Sequence, residues 1–201
     1  MTDNTPAAPA PDTDGPPPWL ARDIAYMQRV AQVCSTPQGR RDLREGLNPR
    51  RLDECWRMKS HLRSHIPRGP SDRLPAYLAV AALYAEAAPN PTLTTEAPDF
   101  TQDTGLDLGH SLALAADAGV LREAATGELL EQAARRRTLA PVLALLQGPV
   151  LRMAHHGVAL SWPRLLLDLR RWPSRRTEIA DRWMESLYCP APDPSPKENA
   201  A

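Results

Sequence analysis

The chain has 201 residues and equal numbers of basic and acidic side chains, 24 of each, so its formal net charge at pH 7 is zero. This length builds one ordinary domain or two small lobes, and neutrality excludes a polycation that binds anions through its total charge. No run approaches the ~18 apolar residues of a membrane helix, and the acidic, Pro-rich start lacks the features of a signal peptide. We therefore expect a soluble, cytoplasmic protein without membrane contacts.

The elements predicted in chain order are helices between two disordered tails. Residues 1–18 and 190–201 hold too few apolar side chains to offset the entropy of ordering. Between the tails, apolar residues recur at the 3.6-residue spacing of helices. The predicted helices span residues 19–34, 37–46, 50–65, 73–88, 106–118, 128–147, a stretch ending at 155, and two helices within 157–188.

The fold that follows is all-α, with about eight or nine helices, because no segment shows the alternating pattern of a β-strand. The helix at 73–88 is apolar nearly all round, which places it at the centre of the core. The connection 89–105, rich in Pro, Thr and acidic residues, divides the chain into two small bundles, residues 19–100 and residues 101–189. A connection this long is typical of a functional or mobile segment.

Residues 157–188 carry the most informative pattern. Pro163 and Pro173 suit the starts of two helices that meet at Trp172, and Ser161 can cap the first. Apolar side chains fall on one face of each helix, so we expect that face to pack on the core and the arginines to be free for an anion. The apolar set is Leu165, Leu166, Leu169, Trp172, Ile179, Ala180, Trp183 and Leu187, and the arginines are Arg164, Arg170, Arg171, Arg175, Arg176 and Arg182.

The sequence offers no pattern for catalysis or a metal. It lacks the nucleotide-binding glycine motifs, the nucleophile elbow, and the zinc-protease and EF-hand signatures. His61 and His65 have metal-competent spacing, but nothing completes a site, so we favour a solvated or phosphate-facing pair. The GLDLG motif at 105–109 lacks the strand and lysine of a phosphate loop, and we interpret it as a turn with a close helix contact. We expect no enzyme activity, no cofactor and no metal.

Three cysteines, Cys34, Cys55 and Cys189, are far apart in the sequence and form no Cys-x-x-Cys pair. This pattern is typical of reduced thiols rather than of a disulfide framework or a zinc site.

Positive charge is concentrated in two parts of the chain. Residues 40–73 hold ten Lys or Arg and five acids, residues 135–182 hold ten Arg and three acids, and residues 86–107 hold five acids and no cation. GC-rich coding or solvated helix faces explain the number of arginines, but explain the clustering less well. Guanidinium groups suit phosphate oxygens because they offer a planar fork of donors. The candidate nucleic-acid-binding residues are Arg40, Arg41, Arg44, Arg51, Arg135, Arg136, Arg137, Arg170, Arg171, Arg175 and Arg176.

The aromatic residues bear on how a nucleic acid would be bound. There is one Phe, and the five Trp and four Tyr mostly fall on apolar stripes, which leaves few rings for base stacking. No helix-turn-helix pattern stands out. We therefore expect contacts to the phosphate backbone that are blind to sequence, made as part of a larger assembly.

Several segments, taken together, resemble a known family. They are SWPRLLLDLRRW at 161–172, RWMESLY at 182–188, QGRRDLR at 38–44, AYLAVAALYA at 76–85 and GLDLGHSL at 105–112. In this order they are similar to the CasB family, the small subunit of the type I-E CRISPR surveillance complex Cascade. The resemblance covers roughly residues 20–188 and is most specific at its C-terminal end.

The resemblance implies an all-helical, non-catalytic subunit of two bundles that pairs with itself inside Cascade. Its implied partners are the large and backbone subunits, crRNA and target DNA, and its implied role is to hold the R-loop and the displaced strand. Arg44 matches a basic position of the family. Arg170, Arg171 and Trp172 match its DL-x-x-W segment, in which the resemblance places the tryptophan in the core. The sequence departs from the family at Arg135–Arg137, where the arginines are shifted, and at Ser161. The closing Phe-Tyr of the family is Leu187-Tyr188 here, which departs at Leu187. A helical adaptor that binds only proteins is the alternative.

Overall fold

The computed structural model describes residues 20–67, 73–88, 98, 100 and 106–189. Within these ranges the chain is helical and contains no strand, which confirms the predicted all-α class. The predictions for the two tails and for nearly all of the 89–105 connection lie outside them. The helices are α1 (Ala21–Cys34), α2 (Pro37–Arg44), α3 (Trp56–Leu62), α4 (Leu74–Ala87), α5 (Leu108–Asp117), α6 (Glu123–Ala134), α7 (Leu139–His155) and α8 (Trp162–Tyr188), with short 3₁₀ segments at Glu45–Leu47, Leu52–Glu54 and Arg63–His65.

Helix α4 lies at the centre of the core, as its sequence predicts. Its residues from Ala76 to Ala85 are all buried, and it packs against α1, α2, α7 and α8. Tyr26 on α1 donates a 2.9 Å hydrogen bond to the carbonyl of Tyr77. Such a helix, apolar on every side, is stable only where neighbours cover all of its faces.

Helix α8 covers 27 residues and consists of two helical segments that meet at a kink, as predicted, although the break lies at Arg175 rather than at Trp172. Its backbone leaves the helical region at Arg175, two residues after Pro173, whose ring removes one helical hydrogen bond. The side chain of Ser161 caps the helix by accepting from the backbone N–H of Arg164 at 3.1 Å, as predicted. The whole predicted apolar set is buried, and the rings of Trp172 and Trp183 stack 5.2 Å apart.

The boundaries of α6 and α7 differ from the prediction. The expected helix at 128–147 ends at Ala134 and a new one begins at Leu139, so Pro141 lies in the first turn of α7. A proline is tolerated there because the first turn has no helical partner for its N–H. The arginines at 135–137 therefore lie in the connection between the two helices instead of mid-helix.

Helix α5 approaches α8 through a glycine. A Cβ atom at Gly109 would lie 1.9 Å from the carbonyl oxygen of Trp183, so the two backbones meet at a distance that only glycine permits. The predicted close helix contact is thus confirmed. Helices α1 and α4 also pack on α8, so the buried apolar side chains form one cluster from Leu20 to Leu187. The boundary between two bundles near residue 100 stays a prediction.

In the part of the chain that the structure describes, each helix is either too short or too polar to cross a membrane.

Candidate nucleic-acid interface

Arg170 is bound to a buried carboxylate. Its Nε and Nη2 atoms donate to Oδ1 and Oδ2 of Asp23 on α1 at 3.0 and 2.9 Å. Asp23 is fully buried and the Arg170 side chain is 11% exposed. Burial raises the pKa of Asp23, whereas the guanidinium opposes that rise. The expectation that Arg170 is free for an anion is therefore wrong, because its donor fork closes a link between α1 and α8.

Two of the three candidate arginines on α2, Arg40 and Arg44, also bind groups of the protein itself. Arg40 donates to the carbonyls of Ala85 at 2.8 Å and Glu86 at 3.3 Å, at the end of α4, where orphan carbonyls favour a cation. Arg44 pairs with the carboxylate of Glu86. Arg41 is exposed. Of this cluster, Arg41 is the side chain best placed to meet a ligand.

Of the two histidines expected to be solvated or phosphate-facing, His65 is exposed and His61 is bound to a carboxylate. His61 Nε2 lies 3.0 Å from Asp42 Oδ2, which joins α3 to α2, and this contact holds the pKa of Asp42 below its usual range. His65 is exposed, with its Nδ1 atom 2.9 Å from the hydroxyl of Ser64. His61 therefore supports packing rather than facing a phosphate.

Three candidate arginines form exposed surface ion pairs. Arg51 pairs with Glu54 at 2.8 Å, Arg135 with Glu131 at 3.2 Å and Arg175 with Glu178 at 3.1 Å. Exposed pairs of this kind are weak, because water screens them and two flexible side chains must be held. A phosphate can replace the carboxylate in such a pair, so these three arginines remain available to bind nucleic acid.

The structure brings the arginines at 135–137 against α8. The indole Nε1 of Trp172 donates to the carbonyl of Arg136 at 3.0 Å, and Arg176 donates to the carbonyl of Ala134 at 2.6 Å. These bonds fix the α6–α7 connection beside the break in α8, while the side chains of Arg136 and Arg137 stay exposed. The arginine cluster at 135–137 and the arginine cluster of α8 are distant in sequence, but they thus lie on neighbouring elements.

A shallow groove of about 230 Å³ runs along the polar face of α8. Arg171 and Arg175 lie one turn apart in it, and Asp168 lies at its buried side. Four arginines and two carboxylates line it, and Arg182 also pairs with Asp107 at 3.4 Å. Four arginines against these three carboxylates leave an excess of positive charge. Burial, followed by the charges of Arg170 and Arg175, lowers the pKa of Arg171. The α8 groove is lined by Arg164, Leu167, Asp168, Arg171, Arg175, Glu178, Ile179 and Arg182.

The sequence predicted only part of the α8 groove. Arg164 and Arg182 were placed off the apolar face, but both reach Asp168, at 3.4 and 2.7 Å, and help to balance its charge. The helical spacing of Arg164, Arg171, Arg175 and Arg182 is the signal that places them on one face. Their excess charge gives the groove the chemistry of a phosphate site.

Comparison with known proteins identifies the family of the chain. The family model described as CRISPR-associated protein Cse2 matches residues 40–188. This chain belongs to the Cse2 (CasB) family. The Cse2 match spans every candidate arginine from Arg40 to Arg176, and it confirms the resemblance carried by the sequence motifs.

A solved chain described as "CRISPR RNA-guided surveillance complex" has the same fold as this Cse2-family chain. The two are 26% identical, with a TM-score of 0.67, over 85% of this chain and 92% of that one. A search of curated proteins gives no match.

Proposed function

We propose that this chain is a non-catalytic subunit of a type I-E CRISPR RNA-guided surveillance complex, in which it holds the backbone of crRNA or target DNA. Membership of the Cse2 family and likeness to a chain of a surveillance complex support the assembly. The α8 groove is the observation that carries the contact, since its arginines exceed its carboxylates. The large and backbone subunits and a second copy of this chain are the proposed protein partners.

The proposed mechanism is electrostatic. Arg171 and Arg175 neutralise phosphates and release their counterions, and Arg136 and Arg137 extend the contact from the adjoining connection. R-loop formation replaces a DNA duplex by an RNA–DNA heteroduplex of similar stability, so its free-energy change is close to zero. A few backbone contacts therefore suffice to stabilise the R-loop and the displaced strand, without chemistry by this subunit.

We assign the candidate arginines to three roles according to the groups that they bind. Arg40, Arg44 and Arg170 bind groups of the protein itself, and we assign them to stability. Arg176 is held by a backbone carbonyl and positions the α6–α7 connection. The proposed contacts to nucleic acid are made by Arg171, Arg175, Arg136, Arg137, Arg135, Arg41 and Arg51.

The test is the lifetime of the R-loop on the assembled complex. We expect the R171A/R175A double variant to shorten it roughly tenfold or more, as loss of charge-assisted hydrogen bonds implies. The matched control is R122A/R152A, which removes two exposed arginines outside the α8 groove. An unchanged lifetime in a complex that still contains the R171A/R175A subunit contradicts the proposal and favours the adaptor that binds only proteins.

A further inference from the structure

Trp56 is exposed, against the expectation that the tryptophans lie on apolar stripes. Its side chain begins α3 and is 73% exposed, whereas Met58 and Leu62 of the same helix are buried. The ammonium group of Lys59 lies 4.9 Å from the centre of the indole ring. The position of Lys59 is fixed by a 2.6 Å bond to the carbonyl of Asp53. One face of the ring thus meets a cation, and an exposed indole of this kind is a surface for a flat partner.

A large groove begins one turn beyond Trp56. It holds about 1040 Å³ between α1 and the segment that continues α3. Lys59 and Arg63 line it on one side and Arg22 lines it on the other. Ser60, Ser64 and His65 add groups that form hydrogen bonds, and none of the lining residues that the structure describes is a carboxylate. We call it the α1–α3 groove.

The chemistry of the α1–α3 groove selects its occupant. Cations and hydroxyls without a carboxylate suit a chain of phosphates. Ala25, Tyr26, Ile66 and Pro67 line the groove as well, so it offers apolar surface beside the cations. A ring beside a basic groove is the arrangement by which proteins hold single strands, with phosphates on the cations and a base on the ring.

The α1–α3 groove also adjoins the basic face of α8. Arg22, which lines the groove, and Arg171, which lines the α8 groove, both lower the pKa of the same carboxyl, Asp23. Asp23 itself is fully buried and bound by Arg170. Arg22 and Arg171 are sequence neighbours of Asp23 and Arg170, so this ion pair joins the helices that carry the two grooves.

We propose that Trp56 is a stacking platform for an unpaired base of a single strand whose phosphates lie in the α1–α3 groove on Arg22, Lys59 and Arg63. The base must be unpaired because the faces of paired bases are covered by their neighbours in a duplex. This site is separate from the α8 groove and shares with the proposed function only the class of ligand. It adds a contact to the base, whereas backbone contacts alone were expected from the sequence.

The test uses the full chain at low salt and a dT oligonucleotide as the probe. We expect W56A to weaken binding roughly 5- to 150-fold, the range for loss of one stacked base, and W56F to restore most of it. The matched probe is the same oligonucleotide with abasic sites. The W56A and wild-type chains should bind the abasic strand equally, which a merely structural role for Trp56 would not produce.

Three outcomes overturn the proposal. They are dT binding that is unaffected by W56A, a W56A defect that persists on the abasic strand, and a wild-type chain that does not bind dT. Loss of assembly with other subunits, with dT binding intact, would identify Trp56 as a protein-docking residue instead. The R-loop lifetime of R171A/R175A tests the proposed function separately. If R171A/R175A shortens that lifetime while W56A binds dT normally, the proposed function stands and the stacking role of Trp56 is refuted.

Discussion

The indole Nε1 of Trp183 donates a 2.8 Å hydrogen bond to Oδ2 of Asp168, a carboxylate that is buried within α8. The other oxygen of Asp168 lies 2.7 Å from Nη2 of Arg182 and 3.4 Å from Nε of Arg164. Burial raises the pKa of Asp168, and the two guanidinium groups oppose that rise. One carboxylate thus holds a core tryptophan in place and anchors the positive charge of the α8 groove.

Asp168→Asn should therefore destabilise the fold strongly. The substitution preserves the size of the side chain but removes the buried charge that two guanidinium groups face, which costs about 3 kcal/mol for a buried pair. Arg182 keeps its second carboxylate, Asp107, at 3.4 Å. The measurement is urea unfolding at pH 7, with the exposed Asp181→Asn as the matched control. A loss no larger than that of the control would show that Asp168 does not organise α8.

Arg170→Ala and Arg171→Ala should separate stability from binding. Removing Arg170 leaves the buried Asp23 without a partner, so we expect a loss of about 3–5 kcal/mol in the free energy of unfolding. Removing Arg171 relieves crowding by Arg170 and Arg175, which already lowers its pKa, and should change stability by no more than about 0.5 kcal/mol. Denaturant titration of the two purified variants measures both effects. Equal losses would refute the division of the arginines into structural and binding groups.

The Arg44–Glu86 pair should appear in the pH dependence of stability. The hydrogen bond from Arg44 lowers the pKa of Glu86 below its ordinary value of 4.5. Its contribution is therefore fully present above pH 4.5 and is lost as the pH falls through the lowered value. Unfolding titrations between pH 7 and pH 3 should show wild type and Glu86→Gln converging as the pH falls. A constant difference between the two over this range would mean that the pair is not formed in solution.

The cysteines should differ sharply in reactivity. Burial raises the pKa of the Cys34 thiol to about 12 and also raises that of Cys55, whereas Cys189 is exposed. The thiolate is the reactive form, so a thiol reagent at pH 8 should label one cysteine rapidly in the native chain. All three should react in denaturant, and Cys189→Ser is the control that removes the rapid phase. Rapid labelling of two or three native thiols would contradict the packing around α1 and α3.

The sequence predicted the elements whose determinants are local. Helical spacing located α4 and the apolar face of α8, and Ser161 was identified as a cap because a serine before a helix start can accept from the first turn. The GLDLG motif correctly indicated a close contact at Gly109. The helical spacing and the cap depend on residues within one or two turns, whereas the glycine motif indicated a close contact without identifying Trp183 as its partner.

The partners of the arginines could not be predicted because they are distant in sequence. Asp23 and Arg170 are separated by 147 positions, and no periodicity indicates that they meet. The exposure of Trp56 was missed for a different reason. The expected stripe treated residues 50–65 as one helix, but the chain forms a 3₁₀ segment at Leu52–Glu54 and starts α3 afresh at Trp56. That restart changes which side of the helix each residue occupies.

The most direct test of the central claim is the salt dependence of R-loop formation by the assembled complex. If Arg171 and Arg175 each neutralise one phosphate of a single strand, R171A/R175A should make the slope of log K against log salt shallower by about 1.4, at about 0.7 per phosphate. The R122A/R152A complex should keep the wild-type slope. A wild-type slope in the R171A/R175A complex would contradict the assignment of the α8 groove as a phosphate-binding surface.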